Sequence, residues 1–496
     1  MIFKEDSYLK NNKKGLLNNL IYQFLYHVII LFIPLILAPY LTRTLGDTNL
    51  GIHSYVNSIA YYFIVIANLG ILKHGQRIIA NNSNDEIKLR KAFWSLYSLH
   101  FVISSFCLIC YFAFVFAFVK DDVDIFLIEG IYVSSALFDI TWLFYGLENF
   151  RSVVIKSLLI RIIEFVCILV FVKHQKDLPI YTTISASAVL LGQIILIPQA
   201  LRQVPFIKFC WDDVKEHIKP LLVFSVAIIA TSLYTVLDKI LLGVMTTKEN
   251  VAYYEYANKI ISLPRTFAVI IGTVMFPKAC KMVNEGNTVK QKTYLKISLI
   301  VVCFIGIASL FGILSVGEQL AVLYYGEDFA ESGKVMATMC AFPFIIGLGE
   351  IIRSQYLIPN KHDKQYVICI VMNAIVNIVL SLIFIPIFGI YGAVIGTFAA
   401  ELFGCVYQII ICRKYVSPLM IVTKTFPFLI IGGIMFGIIS LENDFFDLGL
   451  ASLLIKIFSG IIVFSTLSII YIALFERDIW DMAKSKINSM FRKKRK

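Results

Sequence analysis

Apolar runs of roughly 20 residues recur from end to end of this chain, separated by short polar connections. At 1.5 Å rise per residue, a run of about 20 crosses the hydrocarbon core of a bilayer as a helix. The pattern predicts 14 spans, at about residues 16–41, 52–72, 92–119, 123–146, 153–172, 180–201, 218–244, 251–276, 293–316, 335–357, 366–388, 389–412, 419–441 and 447–475. No connection is long enough to be an extramembrane domain. The opening stretch MIFKEDSYLKNNKKG is polar, and the apolar run behind it is too long for a cleaved signal, so it reads as the first span. The expected fold class is an all-α polytopic membrane protein.

Lys and Arg alternate between connections. They are dense at Lys4, Lys10, Lys13 and Lys14, at Lys73, Arg77, Lys88, Arg90 and Lys91, at Arg202, Lys208, Lys215 and Lys219, and at Lys278, Lys281, Lys290 and Lys292. The intervening connections are poor in them, so both termini are expected in the cytoplasm. The alternation also supports the span count, because one missed span would break it.

Two connections resemble each other. TLGDTNLGIHSYVNSI (Thr44 to Ile59) and LLGVMTTKENVAYYEYANKI (Leu241 to Ile260) each have a Leu-Gly turn, a polar loop, then Tyr-x-Asn-x-Ile. They follow spans 1 and 7, which run in the same direction. A parallel pseudo-repeat is expected from this, a recurring transporter plan. The domains would be an N-terminal lobe of spans 1–6 (1–201), a cytoplasmic linker (202–217), a C-terminal lobe of spans 7–12 (218–412), two appended spans (413–475) and a basic tail (476–496).

Composition narrows the class further. Apolar residues make up 58% and charged residues only 16%, against about 25% charged in soluble proteins; mean hydropathy is +0.79. The net charge of +12 is carried largely by the orienting connections and the tail FRKKRK, which excludes nucleic acid as the partner it would otherwise suggest. Ten Cys lie mostly in spans and read as small apolar packing groups, including Cys107 and Cys110. Neither a metal-spaced cluster, a phosphate-cradling glycine loop nor a nucleophile motif is present. No enzymatic activity is expected, and transport would run on an ion gradient or on the cargo's own gradient.

Candidate chemistry lies in charged residues within spans, each costing about 2.5–3.5 kcal/mol to insert. In span 7, Thr231, Ser232, Thr235, Asp238 and Lys239 share a face about 120° wide at 100° per residue. In span 8, Glu255, Asn258, Lys259, Ser262, Arg265 and Thr266 do the same, with Pro264 expected to bend the helix. Cations outnumber acids on these faces, so a hydrated, positively biased cavity is expected. Arg161 with Glu164, and Glu350 with Arg353, are i, i+3 pairs able to neutralise each other. Lys456 is expected to snorkel. Glu129, Asp139 and Glu401 are lone acids. Asn18, Asn19, Gln23 and His27 give the first span a polar face; His27 reads as a hydrogen-bonded helix-packing residue, with a relay as the alternative, and Pro34 and Pro39 suggest bending.

The segments NLGILKHGQRIIA (Asn68 to Ala80), WLFYGLENFR (Trp142 to Arg151), LDKILLGVMTTKENVAYYEYANKI (Leu237 to Ile260) and GTVMFPKACKM (Gly272 to Met282) resemble the bacterial Wzx-type polysaccharide flippases. That family belongs to the superfamily of MATE-type multidrug exporters and lipid II flippases. The resemblance implies a V-shaped pair of six-helix lobes that alternate in access. It implies as cargo an undecaprenyl-diphosphate-linked oligosaccharide, moved to the outer leaflet of the plasma membrane. It also implies a cationic lumen, for which Asp238, Lys239, Lys259 and Arg265 are the positional matches, with Glu255, Asn258 and Arg353 beside them. A polysaccharide polymerase and a chain-length regulator would be partners besides membrane lipids, with no cofactor; coupling to protons or sodium stays open. Where lipid II flippases place an Arg in the first span, this chain has only Gln23 and His27. The alternatives are a MATE-type cation-coupled multidrug antiporter, which the basic bias disfavours, and a membrane polymerase or glycosyltransferase, which the short external connections disfavour.

Overall fold

The computed structural model describes the backbone of residues 2–413, 415–442, 449–482, 484 and 485. It describes side chains from Phe32 onward, apart from 223, 224, 226, 227, 230, 231 and 233–235. It is helical, with no strand among the described residues, and divides into two compact units, Met1–Ala252 and Tyr253–Lys496. The expected all-α class is what the chain adopts.

The first unit holds α1 (Ile2–Asn68), α2 (Ile71–Asn82), α3 (Glu86–Phe118), α4 (Val123–Ser134), α5 (Thr141–Gly146), α6 (Phe150–Phe171), α7 (Leu178–Ile194), α8 (Ile197–Gln203) and α9 (Trp211–Met245). Helix α10 (Lys248–Asn284) crosses the boundary. The second unit continues with α11 (Thr288–Tyr325), α12 (Ala330–Met339), α13 (Phe342–Ile352), α14 (Asp363–Phe388), α15 (Ile390–Cys412), α16 (Pro418–Glu442) and α17 (Leu450–Phe475). Nine helices among the described residues are long and apolar enough to cross a membrane. A tenth is gained if the pair Glu327–Met339 and Phe342–Leu357, bent by 44°, is one span. Length and composition thus establish a multi-pass membrane protein but not the expected count of 14. Part of the shortfall is that Phe32–Asn82 counts once although the chain turns inside it.

That turn is at Gly46, where φ is 78° and ψ 174°, a conformation that costs any residue with a Cβ but not glycine. The expected Leu-Gly turn is therefore present in the first copy of the repeat. In the second copy it is not: α9 stays helical through Gly243 to Met245, and the chain leaves the helix at Thr246. Gly243 serves packing instead. A Cβ there would fall 2.1 Å from the Tyr55 ring, and one at Gly51 would fall 1.8 Å from the Lys248 carbonyl oxygen.

The fourth expected span is also interrupted. Helix α4 passes through a 3-10 turn (Ser135–Phe138) and the chain is extended at Asp139 before α5 starts. Asp139 Oδ1 accepts from the Thr141 N–H at 3.0 Å and from its hydroxyl at 2.6 Å. Asp139 is thus a local cap for a broken helix, and the signal was in the sequence: Asp two residues ahead of Thr competes for helical backbone donors. Trp142 follows, fully buried, and stacks on Phe93 with centroids 5.3 Å apart. At the same end of this unit His74 Nε2 meets His217 Nδ1 at 3.1 Å, and His217 Nε2 meets Ser95 Oγ at 3.1 Å, joining α2, α9 and α3. In the second unit Phe428, Phe464, Leu299 and Ile352 centre the core. Phe106, Ile109 and Phe116 on α3, and Ile461, Ile462 and Phe475 on α17, are exposed as lipid-facing side chains should be. All ten cysteines are free thiols.

Candidate functional site: charged faces on spanning helices

In the first unit, Asp238 is 3% exposed while its neighbour Lys239 is half-buried. Ser232 lies on the same face two turns earlier; its main-chain oxygen accepts from the Tyr62 hydroxyl at 3.2 Å, which fixes α9 against α1. The side chains of Thr231 and Thr235, and of Asn18, Asn19, Gln23 and His27, lie outside the described residues.

The second unit carries the richer face. Glu255, Asn258, Lys259, Ser262, Arg265 and Thr266 are all half-buried on α10. The helix runs unbroken from Lys248 to Asn284 with Pro264 and Pro277 inside it. Each proline removes one backbone donor. The Ser262 hydroxyl donates to the Lys259 carbonyl at 2.8 Å, and the Thr266 hydroxyl to the Ser262 carbonyl at 2.7 Å, the latter at an i−4 spacing. Lys259 holds its ammonium 3.8 Å from the Tyr256 ring centroid, an attraction of about 0.5–2 kcal/mol depending on solvation. Tyr256 is itself fixed, edge-on to Tyr325 at 5.1 Å, with the Tyr325 hydroxyl donating to its carbonyl at 3.1 Å. Arg265 has neither an ion pair nor a hydrogen-bonded partner among the described residues. Its planar guanidinium offers a fork of donors to an anion.

Arg353 pairs with Glu350 as the i, i+3 spacing suggested. Glu350 packs onto α10, where a Cβ at Gly272 would fall 2.8 Å from its carboxylate. Gly272 is seven residues from Arg265, on the same face and about 10 Å along the helix. The pair and the α10 face are thus brought together. Arg353 also opens a π-helical turn, Arg353–Leu357, closed by Ile358 N–H to the Arg353 carbonyl at 3.1 Å. Such turns cluster at functional sites, and nothing in the residue pattern announces this one. Gln355 anchors it, donating to Ser298 Oγ at 2.8 Å and accepting from Gln291 through its carbonyl at 3.0 Å.

Arg161 and Glu164 also pair, at 2.6 Å, and the Ser185 hydroxyl donates to the other Glu164 oxygen at 3.0 Å. Glu129 accepts from Asn57 at 3.3 Å with His53 at 3.6 Å, so this acid has polar company. Lys456 does not snorkel. It is 2% exposed and donates to Gln319 Oε1 at 2.9 Å, because α17 packs that face against α11 rather than toward the interface.

Half-buried charged faces on spanning helices, one of them carrying two prolines, define a polytopic membrane protein with polar surface inside its spans, the kind of surface that marks substrate pathways. Residues 16–283 match the family described as polysaccharide biosynthesis protein, and the chain belongs to that family. It is 24% identical over 387 residues to a putative O-antigen transporter of Shigella dysenteriae, covering 77% of this chain and 96% of that one. It is 24% identical over 253 residues to a probable low-salt glycan biosynthesis flippase of Haloferax volcanii, covering 48% and 50%. Among solved structures it is similar to the lipid II flippase MurJ in an inward closed conformation, with TM-score 0.74, 18% identity, and 93% and 99% coverage. A multidrug resistance MATE transporter follows at TM-score 0.57, 14% identity, and 78% and 98% coverage. The expected membership of a polysaccharide-export family is borne out by the family match, and the likeness to MurJ and to the MATE transporter is one of fold.

Proposed function

We propose that the protein flips undecaprenyl-diphosphate-linked oligosaccharide repeat units from the cytoplasmic to the outer leaflet of a bacterial inner membrane, for surface polysaccharide synthesis. Its kinship with an O-antigen transporter and a glycan flippase supports the cargo class. The observation that carries the mechanism is the α10 face, where Lys259 and Arg265 stand half-buried in a spanning helix. Head-group translocation needs water around a dianionic diphosphate to be replaced by charge-assisted hydrogen bonds. Arg supplies two parallel donors and Lys a point charge. Lys259 and Arg265 are the main diphosphate anchors in this reading. Asp238 and Lys239, toward the outer end of α9, serve exit, and Glu255, Asn258 and Arg353 complete the wall of a cationic lumen. The polyprenyl tail stays in lipid while access alternates between the two sides. The termini lie in the cytoplasm, an ion gradient or the cargo's own gradient drives the movement, and a polymerase with its chain-length regulator takes the product.

The test is reconstitution of purified protein in liposomes with a fluorescent undecaprenyl-diphosphate sugar and an impermeant quencher. Wild type should flip the lipid, and Lys259→Ala and Arg265→Ala should each lower the rate by at least ten-fold at unchanged protein insertion. Full activity in both variants rejects the lumen assignment. Drug efflux in place of lipid flipping would move the protein to the MATE-type antiporters.

A further inference from the structure

Inside the first unit a cavity of about 120 Å³ opens between α5, α6 and α7, lined in part by Thr141, Tyr145, Ser157, Arg161, Gly192 and Gln193. We infer that it is a subsite for one sugar ring of the lipid-linked cargo. The inference rests on the flippase reading above and adds to it a place for the glycan, distinct from the diphosphate anchors on α10.

Four observations point to a neutral, hydroxyl-rich ligand. Arg161 is matched by Glu164 at 2.6 Å, and Ser185 holds the second carboxylate oxygen at 3.0 Å. The wall therefore offers donors and acceptors but little net charge, which suits hydroxyls better than a diphosphate. Gln193 Oε1 is buried with no hydrogen-bond partner, an acceptor awaiting an O–H. The Thr141 hydroxyl spends its proton on Asp139, so toward the cavity it can only accept. Tyr145, stacked on Phe150 at 5.4 Å, adds an aromatic wall for the C–H surface of a ring.

Size and placement agree. At about 30 Å³ per water, 120 Å³ holds on the order of four waters, room for one hydroxyl-bearing edge of a sugar ring and too little for a polyprenyl tail. A Cβ at Gly192 would meet no atom within 4 Å, so the helix backbone itself leaves the room. The walls are rigid. Lys156, on α6, donates to the Ile195 carbonyl at 3.2 Å and to Gln199 at 2.8 Å, and Gln199 donates to Ser152 at 2.9 Å, which locks α6 to α8. By the charge bias of the connections, α5 and the facing turns of α6 and α7 lie in the cytoplasmic half, where cargo would enter.

Gly192→Leu starts from a Cβ that meets no atom within 4 Å, extends into the cavity, and replaces a poor helix former with a good one. The probes are the lipid-linked oligosaccharide that accumulates in a flippase-null strain of the source cell, and undecaprenyl diphosphate without sugar. Their binding to the full-length protein in nanodiscs would be compared. Wild type should bind the glycan-bearing lipid more tightly. Gly192→Leu should lose at least ten-fold in affinity for it and keep its affinity for the bare diphosphate, and Gln193→Leu should fall between. Equal binding of the glycan-bearing lipid by wild type and Gly192→Leu, or equal loss for both lipids, overturns the subsite while leaving the flippase reading intact. Failure of wild type to bind either lipid overturns both.

Discussion

The Lys456 ammonium lies inside the second unit, 2% exposed, and donates to Gln319 Oε1 at 2.9 Å. It borders an apolar cavity of about 290 Å³ whose walls include Phe304, Ile313, Met435 and Phe464. A buried cation with one neutral partner among the described residues contributes little to stability and penalises loss of that partner. Gln319→Leu should therefore destabilise by about 1.5–3 kcal/mol, the scale for hydrogen bonds to charged groups. Lys456→Met, of similar length and apolar, should be neutral or stabilising. Thermal unfolding of the detergent-solubilised variants distinguishes them, and a large loss in Lys456→Met would show that the charge itself holds α17 in place.

The Glu350–Arg353 pair should behave in the same sense. Glu350 is the more buried partner, 11% exposed at its side chain against 31% for Arg353, and it packs against Gly272 on α10. Arg353→Ala should cost about 1–3 kcal/mol, the scale for leaving one partner of a hydrogen-bonded pair unsatisfied. The double change Glu350→Gln with Arg353→Met should recover much of it. A strictly additive double-mutant cycle would count against the coupling.

How much of this was legible beforehand follows from the range of each interaction. The helical class, the i, i+3 pairs at Arg161–Glu164 and Glu350–Arg353, and the polar face of α10 depend on residues within two turns of one another, so periodicity exposes them. The turn at Gly46 was local too. What escaped depended on neighbours distant in sequence. Lys456 is buried because Gln319 is 137 residues away in the chain and adjacent in space. Gly243 is helical and leaves room for the Tyr55 ring where a Cβ would stand, whereas the Leu-Gly pair alone suggested a turn. The π-helical turn at Arg353 is held by Gln291 and Ser298 on another helix. The cavity beside Gly192 needs three helices at once and has no one-dimensional signature.

Glu476, just past the end of α17, is held by Lys296 at 2.7 Å and by Lys424. Burial pushes its carboxyl up, but the two ammonium groups override that and leave it below the ordinary glutamate range. A carboxyl depressed on folding contributes stability above its unfolded pKa and loses that contribution as pH falls through the folded value. The melting-temperature gap between wild type and Glu476→Gln should thus be level around neutrality. It should narrow only on acidification below the ordinary glutamate range. A gap that widened toward low pH would reverse the sign and refute the pairing as the cause.

Two glycines set how closely α1 approaches the end of α9 and the start of α10. At Gly51 a Cβ would overlap the Lys248 carbonyl oxygen at 1.8 Å, and at Gly243 the Tyr55 ring at 2.1 Å. The same junction holds the Lys248 ammonium 3.3 Å from the Tyr55 centroid and the Thr48 hydroxyl 2.7 Å from Glu249. The Gly51 neighbour is backbone and cannot rotate away, whereas the Gly243 neighbour is a side chain that can move at the cost of its contacts with Phe126 and Lys248. Gly51→Ala should therefore be the more damaging, by about 1–3 kcal/mol as overpacking, and Gly243→Ala milder. Tyr55→Ala should rescue Gly243→Ala by vacating the ring's volume, but not Gly51→Ala. Surface polysaccharide in a complemented flippase-null strain, normalised to the amount of inserted protein, would report the order. Rescue of Gly51→Ala by Tyr55→Ala would show that the ring, and not the Lys248 backbone, limits the approach of these helices.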